Sequence, residues 1–401
     1  MKINQKIVKS LVYLSVFFEC FIVNICIADT FSTISDDAIG LPQDETSYVE
    51  IGPFSLTHHD DEIISPKSVS IHPHQSKMYI NALEVGKTLV YSTKTYQKLK
   101  TIDHRFEEHF NLKLGDQFYG KPVEGWFSHD GRYYWVTYYR WSDDINAMGN
   151  SGFALIDTET DEIIKAFPTG NIPKFITANA ENTLLAVTLW GENKVELYDI
   201  RNIKHIRLMS RIAVGPKVIA EPGSNRDNSC GMCLRGTAFI PNTKLLAVAQ
   251  MGNGGGIWLL DTANMKVLRG FRHTPATPRH LQVYKDWLYF SANASGTVGR
   301  ILIKELERAA KDDRFDPKIE SKKFGEGART IKIFKDRVFA ALNYSQKIAV
   351  SNLDFSDLRT LIAPAFPVGL DVNEHILAVT SQGRGGEGGH RVWIYNYNAL
   401  P

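Results

Sequence analysis

Beyond residue 47 the chain is written in short apolar runs separated by polar turns, with almost no stretch that keeps a helical period. β-Branched and aromatic runs of strand length cover residues 77–80, 133–137, 184–188, 245–249, 287–291, 338–342 and 375–380. Each follows a shorter alternating strand and a polar turn, such as His129-Asp130-Gly131-Arg132 or Pro241-Asn242-Thr243-Lys244. Third strands over 153–157, 194–199 and 257–261 close on acidic, Thr or Asn turns, and fourth strands include 162–167 and 266–271.

The order repeats. Ser65-Pro66-Lys67-Ser68-Val69, Pro122-Val123-Glu124-Gly125-Trp126, Ile172-Pro173-Lys174-Phe175-Ile176, Cys233-Leu234-Arg235-Gly236-Thr237, Thr277-Pro278-Arg279-His280-Leu281, Gly327-Ala328-Arg329-Thr330-Ile331 and Phe366-Pro367-Val368-Gly369-Leu370 align with one another. Their third residues lie 57, 50, 61, 44, 50 and 39 positions apart. A unit of four strands returning seven times predicts an all-β, seven-bladed β-propeller. A βαβ fold would need helices between strands, and only residues 303–311 read as helical, placed by the pattern in a linker between blades. The strand-like piece over 48–56 precedes the first repeat, so it is expected to complete the last blade after residues 392–397.

Composition changes the picture at the N-terminus. Lys2, Lys6 and Lys9 precede an apolar stretch over 11–27, and Cys26-Ile27-Ala28-Asp29 follows. This reads as a secretory signal over 1–28, cleaved after Ala28, ahead of a flexible segment over 29–46 and a propeller over 47–401. The alternative is an uncleaved anchor. Glu19 and Asn24, however, hold the longest purely apolar run well below the ~20 residues of a spanning helix. The expected place is therefore the periplasm or the outside of the cell, with no membrane span after cleavage. The full chain carries 46 Lys and Arg against 44 Asp and Glu, and loss of 1–28 removes three lysines and one glutamate. A mature net charge of zero supplies no global field for polyanions, so any attraction must come from a local patch.

Phe127-Ser128-His129-Asp130-Gly131-Arg132-Tyr133-Tyr134-Trp135-Val136 and Leu155-Ile156-Asp157-Thr158-Glu159-Thr160 resemble the centre and end of the YVTN-type repeat of YncE-like bacterial propellers. Thr277-Pro278-Arg279-His280 and Gly327-Ala328-Arg329-Thr330 resemble its beginning. The resemblance spans roughly residues 47–400 and implies the propeller fold. For function it implies a range that includes periplasmic binding proteins, a single-stranded DNA binder and, more distantly, lactonases and quinoprotein-like propellers. Long inserts over 101–121 and 211–232 depart from the simple repeat.

Lys67, Lys174, Arg235, Arg279 and Arg329 share one repeat position, occupied by Glu124 and Val368 in the other two units. Symmetry would bring these cations around one mouth of the channel, to hold an anion or to pair with acids of neighbouring blades. Cys230 and Cys233 are the only cysteines after residue 28. A strand rather than a helix follows them and no His follows Cys233, which favours a loop-pinning disulfide over a redox pair or haem attachment. The glycine runs 251–256 and 383–389 lead into strands and read as hairpins between second and third strands, with no phosphate loop. Tyr138, Tyr139, Trp141 and Trp190, with Asn81, Gln250, Asn293 and Asn343, fall near the second-strand exits, as a ligand platform or as blade packing. His58-His59-Asp60-Asp61-Glu62, near His72 and His74, has metal-ligating types but a consecutive order, and reads as a solvated loop. The expected function is non-catalytic: a monomeric binding or scaffold propeller, without cofactor or metal, recognising an anionic small molecule or partner protein. A propeller enzyme and a single-stranded nucleic-acid binder are the alternatives.

Overall fold

The runs that alternate least in the sequence become the most buried strands. In the computed structural model, described over residues 47–52, 56–106, 118–141, 149–218, 230–383 and 388–401, the second strands Lys77–Ala82, Leu184–Leu189 and Leu245–Gln250 are buried from their second residue onward. Outer strands such as Lys98–Asp103 and Arg207–Ala213 are largely exposed. A strand buried on both faces must have a sheet on each side, which is the environment inside a ring of blades.

Seven sheets form that ring, each ordered first to fourth strand from the channel outward. The innermost strands are Pro66–Ile71, Pro122–Phe127, Pro173–Ala178, Leu234–Phe239, Pro278–Tyr284, Ala328–Phe334 and Pro367–Val372, for blades one to seven. Apolar side chains of adjacent blades meet in seven separate slabs. One example is Ala247 and Leu259 against Leu288 and Phe290; another is Phe339 and Val350 against Leu370 and Val379. Stability is therefore spread around the ring.

The chain ends close it. Tyr48–Ile51 joins the last blade as its fourth strand, parallel to Arg391–Asn396 with Val49 opposite Val392, and Leu56–His59 adds an antiparallel fifth. The single piece expected over 48–56 is thus two strands, broken after Gly52, which takes a φ of +60°. The helix Ile303–Ala309 forms as expected but lies inside blade five, between its third strand Thr297–Leu302 and its fourth, Ile319–Lys323. Leu306 and Ala309 are buried against the slab between blades four and five, which explains why a helix is tolerated there. The first glycine run is the expected hairpin, between Leu245–Gln250 and Gly256–Asp261. Residues 1–46, with the expected signal and flexible segment, lie outside the described residues, as do parts of both inserts and of the run 383–389. Among the described residues no helix is long and apolar enough to cross a membrane.

Candidate binding site at one mouth of the channel

One backbone device is repeated at the entrance of the innermost strands. In every blade the pairing of first and second strands slips at this point, as between Pro66 and Ser68, Pro173 and Phe175, or Pro278 and Leu281. Lys67, Lys174, Arg235, Arg279, Arg329 and Val368 all sit inside these slips. A β-bulge turns a side chain away from the alternation of its strand, so the repeat position that sequence identifies is also the one the backbone re-aims.

The residue two positions earlier is left-handed in six blades: Ser65, Ile172, Cys233, Thr277 and Phe366 at φ from 50° to 60°, and Gly327 at 76°. Only the last is glycine. Ile172 and Thr277 are β-branched, and such conformations cost roughly 1–3 kcal/mol each, held only where the surroundings over-determine them. Here one bond does so. The carbonyl of this residue, or of Lys121 in blade two, accepts the backbone N–H of the first residue after the second strand. The donors are Leu83, Tyr139, Trp190, Met251, Asn293, Asn343 and Gln382, at 2.9–3.3 Å.

These donors form a second ring against the first, and its two halves differ. Across blades one to four, Leu83, Tyr139, Trp190 and Met251 join Val123, Ile172, Cys230 and Cys233 in a buried apolar cluster. The two cysteines are disulfide-bonded with their Cα atoms 4.9 Å apart. Across blades five to seven the ring is amide: Asn293 Nδ2 donates to Asn343 Oδ1 at 3.2 Å, and Lys67 Nζ donates to Gln382 Oε1 at 3.2 Å. Lys174 Nζ lies 3.0 Å from the centroid of the Tyr139 ring and 5.0 Å from that of Trp190. Arg279 Nη1 approaches Met251 Sδ at 3.5 Å, and Arg329 lies 5.8 Å from the Phe366 ring. All five cations are buried. Trp190 Nε1, Asn293 Oδ1 and Asn343 Nδ2 have no hydrogen-bond partner among the described residues, although all three side chains are buried. Buried polar atoms are paired in the great majority of cases, and such exceptions call for an explanation.

Below this mouth the channel is obstructed. Phe175 of blade three meets His280 of blade five edge to face at 5.1 Å. Lys332 pairs with Asp371 at 2.7 Å, and Asp371 Oδ2 also accepts the Ile71 N–H of blade one at 2.8 Å. The remaining cavity is about 90 Å³. At roughly 10–15 Å³ per water it holds about six to nine waters, short of the roughly 300–1,000 Å³ of small-molecule sites. His280 reports the local field: burial, then Lys332, Arg279 and Arg235, bring its imidazole down to about 3.

Several expected residues lie elsewhere. Asn81 donates to Ser68 Oγ of its own blade and to the Tyr134 hydroxyl of blade two, and Gln250 bonds Gly252 and Trp258 inside blade four. Tyr138 is buried against His104 and Phe118, so it packs the blade and forms no open platform. Glu124 lines the channel. Among the described residues no group of three or more ligand types could hold a metal. Within the His58–Glu62 segment Asp60 and Glu62 are built into the fold rather than into a solvated loop, while His59 and Asp61 are exposed. Asp60 accepts Tyr91 and Lys98, and Glu62 takes Lys87, Lys98 and Thr101. Burial pushes the Glu62 carboxyl up, but those three donors outweigh it and bring it down to about 2. Sequence reasoning missed Gln382, Arg140 and its partner Glu84 at 2.6 Å. Gln382 was findable, since it holds the repeat position of Asn293 and Asn343.

No family model and no curated protein sequence matches this chain. Among solved structures it is similar to the β-propeller domain of Myceliophteria thermophila Cps50 (Swd1), at 12% identity and a TM-score of 0.58 over 82% of this chain and 96% of that one. It is similar to Kuenenia stuttgartiensis hydrazine synthase at 17% identity and 0.56, over 73% and 85%. It is also similar to the computationally designed Ika8 protein at 10% identity and 0.53, over 90% and 99%. At these identities the likeness establishes the propeller fold and nothing finer, and that fold is consistent with a binding or scaffold role.

Proposed function

We propose that this chain is an exported, non-catalytic binding propeller whose bulged mouth recognises an anionic group, carried by a small molecule or by a partner protein. The observation that supports it is the repeated left-handed residue and bulge, which gathers five buried cations at one mouth of the channel. Strained backbone at a shared position is retained where a function uses it. The amide half of the second ring supplies directional donors and acceptors, while the disulfide-pinned apolar half supplies a wall for the body of the ligand. Charge-assisted hydrogen bonds from Arg279 and Arg329 each contribute roughly 1.5–3 kcal/mol. The resemblance of the repeats to those of YncE-like propellers agrees with a binding role.

Calorimetric titration with phosphate, sulfate, di- and tricarboxylates and a single-stranded oligonucleotide tests the reading. Saturable binding by one small anion is expected, weakened about 10²- to 10⁴-fold when Arg279→Ala and Arg329→Ala are combined and largely kept by Arg279→Lys. Equal affinity in the double variant would refute the mouth as the site. Binding of the oligonucleotide alone, with a steep salt slope, would favour the nucleic-acid alternative instead.

A further inference from the structure

The face opposite the mouth carries a pocket that the ring does not explain. The third residue of each second strand faces the next blade: Tyr79, Trp135, Ala186, Ala247, Tyr289, Phe339 and Ala378. Where this residue is tyrosine its hydroxyl reaches the next blade's turn between third and fourth strands. Tyr79 donates to Asp161, and Tyr289 donates to the Leu353 carbonyl at 3.2 Å. Blade two carries the bulkiest of the seven residues at this position, a tryptophan. Trp135 is 1% exposed, and its Nε1 has no partner among the described residues. The facing turn of blade three is the longer one between Lys194–Asp199 and Arg207–Ala213, containing a short 3₁₀ turn, Ile203–His205. Between them lies a cavity of about 400 Å³, within the 300–1,000 Å³ range of small-molecule sites.

Its walls are chemically mixed and nearly neutral. The half-buried Tyr133 and Ile203 supply the accessible aromatic and aliphatic surface, with Trp135 and Ile200 buried behind them. The two charged groups are already engaged: Asp130 accepts Ser128 and the Arg132 N–H, and Arg201 clasps Asp199 at 2.9 and 2.5 Å. Asn182 and Asn202 also line the pocket. Each spends its Oδ1 on a backbone N–H, of His129 at 3.3 Å and of Lys204 at 3.1 Å, which leaves the Nδ2 groups to donate. The corresponding gap between blades three and four is about 220 Å³, with Leu184 and Phe239 on its walls and no tryptophan. The gap between blades two and three is the larger of these two.

The half-buried Tyr133 ring beside neutral amide donors, with both charges internally matched, suits a ligand that has hydroxyl acceptors, an apolar ring face and no charge. We propose that this interblade pocket is a second binding site, independent of the mouth, for a neutral pyranose ring of a saccharide.

The test uses the methyl glycosides of glucose, galactose, mannose and N-acetylglucosamine, followed by saturation-transfer NMR and tryptophan fluorescence. The combined variant Asn182→Asp and Asn202→Asp keeps both Oδ1 acceptors, and so the turns, while removing both Nδ2 donors. Saturable binding of at least one glycoside is expected, weakened about tenfold or more in that variant, as loss of a hydrogen bond requires. Arg279→Ala with Arg329→Ala should leave it unchanged, which separates this site from the mouth. Absence of saturable binding by all four up to ~10 mM, well above a millimolar dissociation constant, would overturn the proposal. So would equal affinity in the Asn variant with an unchanged circular dichroism spectrum.

Discussion

Val49 tests whether the ring is closed by its N-terminal strand or merely decorated by it. The side chain is fully buried in the slab between blades seven and one, beside Val69, Ile80, Leu89, Val392 and Ile394. Val49→Ala removes two methyl groups, roughly 1.6 kcal/mol at ~0.8 kcal/mol per buried carbon. The slab cannot fully collapse around the gap, so the cavity raises the cost to about 2–3 kcal/mol, a factor of about 30 to 150 in the unfolding equilibrium. Ile164→Ala serves as the control, because Ile164 stands on the outer strand of blade two at 51% exposure. It should stay within about 0.5 kcal/mol. Urea unfolding at pH 7 followed by tryptophan fluorescence reads the global effect, and hydrogen exchange over Tyr48–Ile51 and Arg391–Asn396 reads the local one. If both variants share one urea midpoint while exchange rises only at Tyr48–Ile51, the strand is a detachable flap. The closure reasoning is then wrong.

Acid should weaken the fold through two imidazoles. Burial brings His104 down to about 3, and burial with Lys332, Arg279 and Arg235 does the same for His280. Above the ordinary value of 6.5 neither state binds the proton, so stability is full. Below it the unfolded chain takes protons that the fold refuses, and stability falls until about pH 3. Urea midpoints between pH 7 and 4 should decline accordingly, less steeply in His104→Asn; a flat series would contradict the burial of both rings. The disulfide closes so short a loop that joint Cys230→Ser and Cys233→Ser exchange should cost no more than roughly 2 kcal/mol. Because Cys233 leads directly into Leu234 and Arg235, anion affinity at the mouth, measured by the same titrations, should fall further than stability does. Intact mass before and after reduction checks the bond itself.

Blade number, strand order and the closing role of the N-terminal strand were legible because each rests on local information. A period-two run between turn residues specifies a strand wherever it occurs, and its recurrence specifies a ring. The helix within 303–311 was legible as a helix, but its place inside blade five was not. The fourth strand Ile319–Lys323, with only partly buried and exposed residues, gives little apolar signal of its own. The shared position of the five cations could be read from the alignment. The left-handed backbone that turns them could not, since Ile172, Thr277 and Phe366 are residues that ordinarily avoid it.

What the amino-acid order determined by itself is therefore the scaffold: seven antiparallel sheets, their succession around a channel, and the ring of repeat positions at one opening. Tertiary structure alone decided which side chains meet across that ring. Phe175 and His280 are 105 positions apart by number and in contact across the channel. Lys67 reaches Gln382 across the seam where the ring closes. The pocket beside Trp135 exists only because residues of blade three, Asn182 and Ile200 to Ile203, complete its walls. Periodicity carries information along a strand, whereas burial, charge and cavity at a site depend on separations between blades. No pattern within a single repeat encodes those separations.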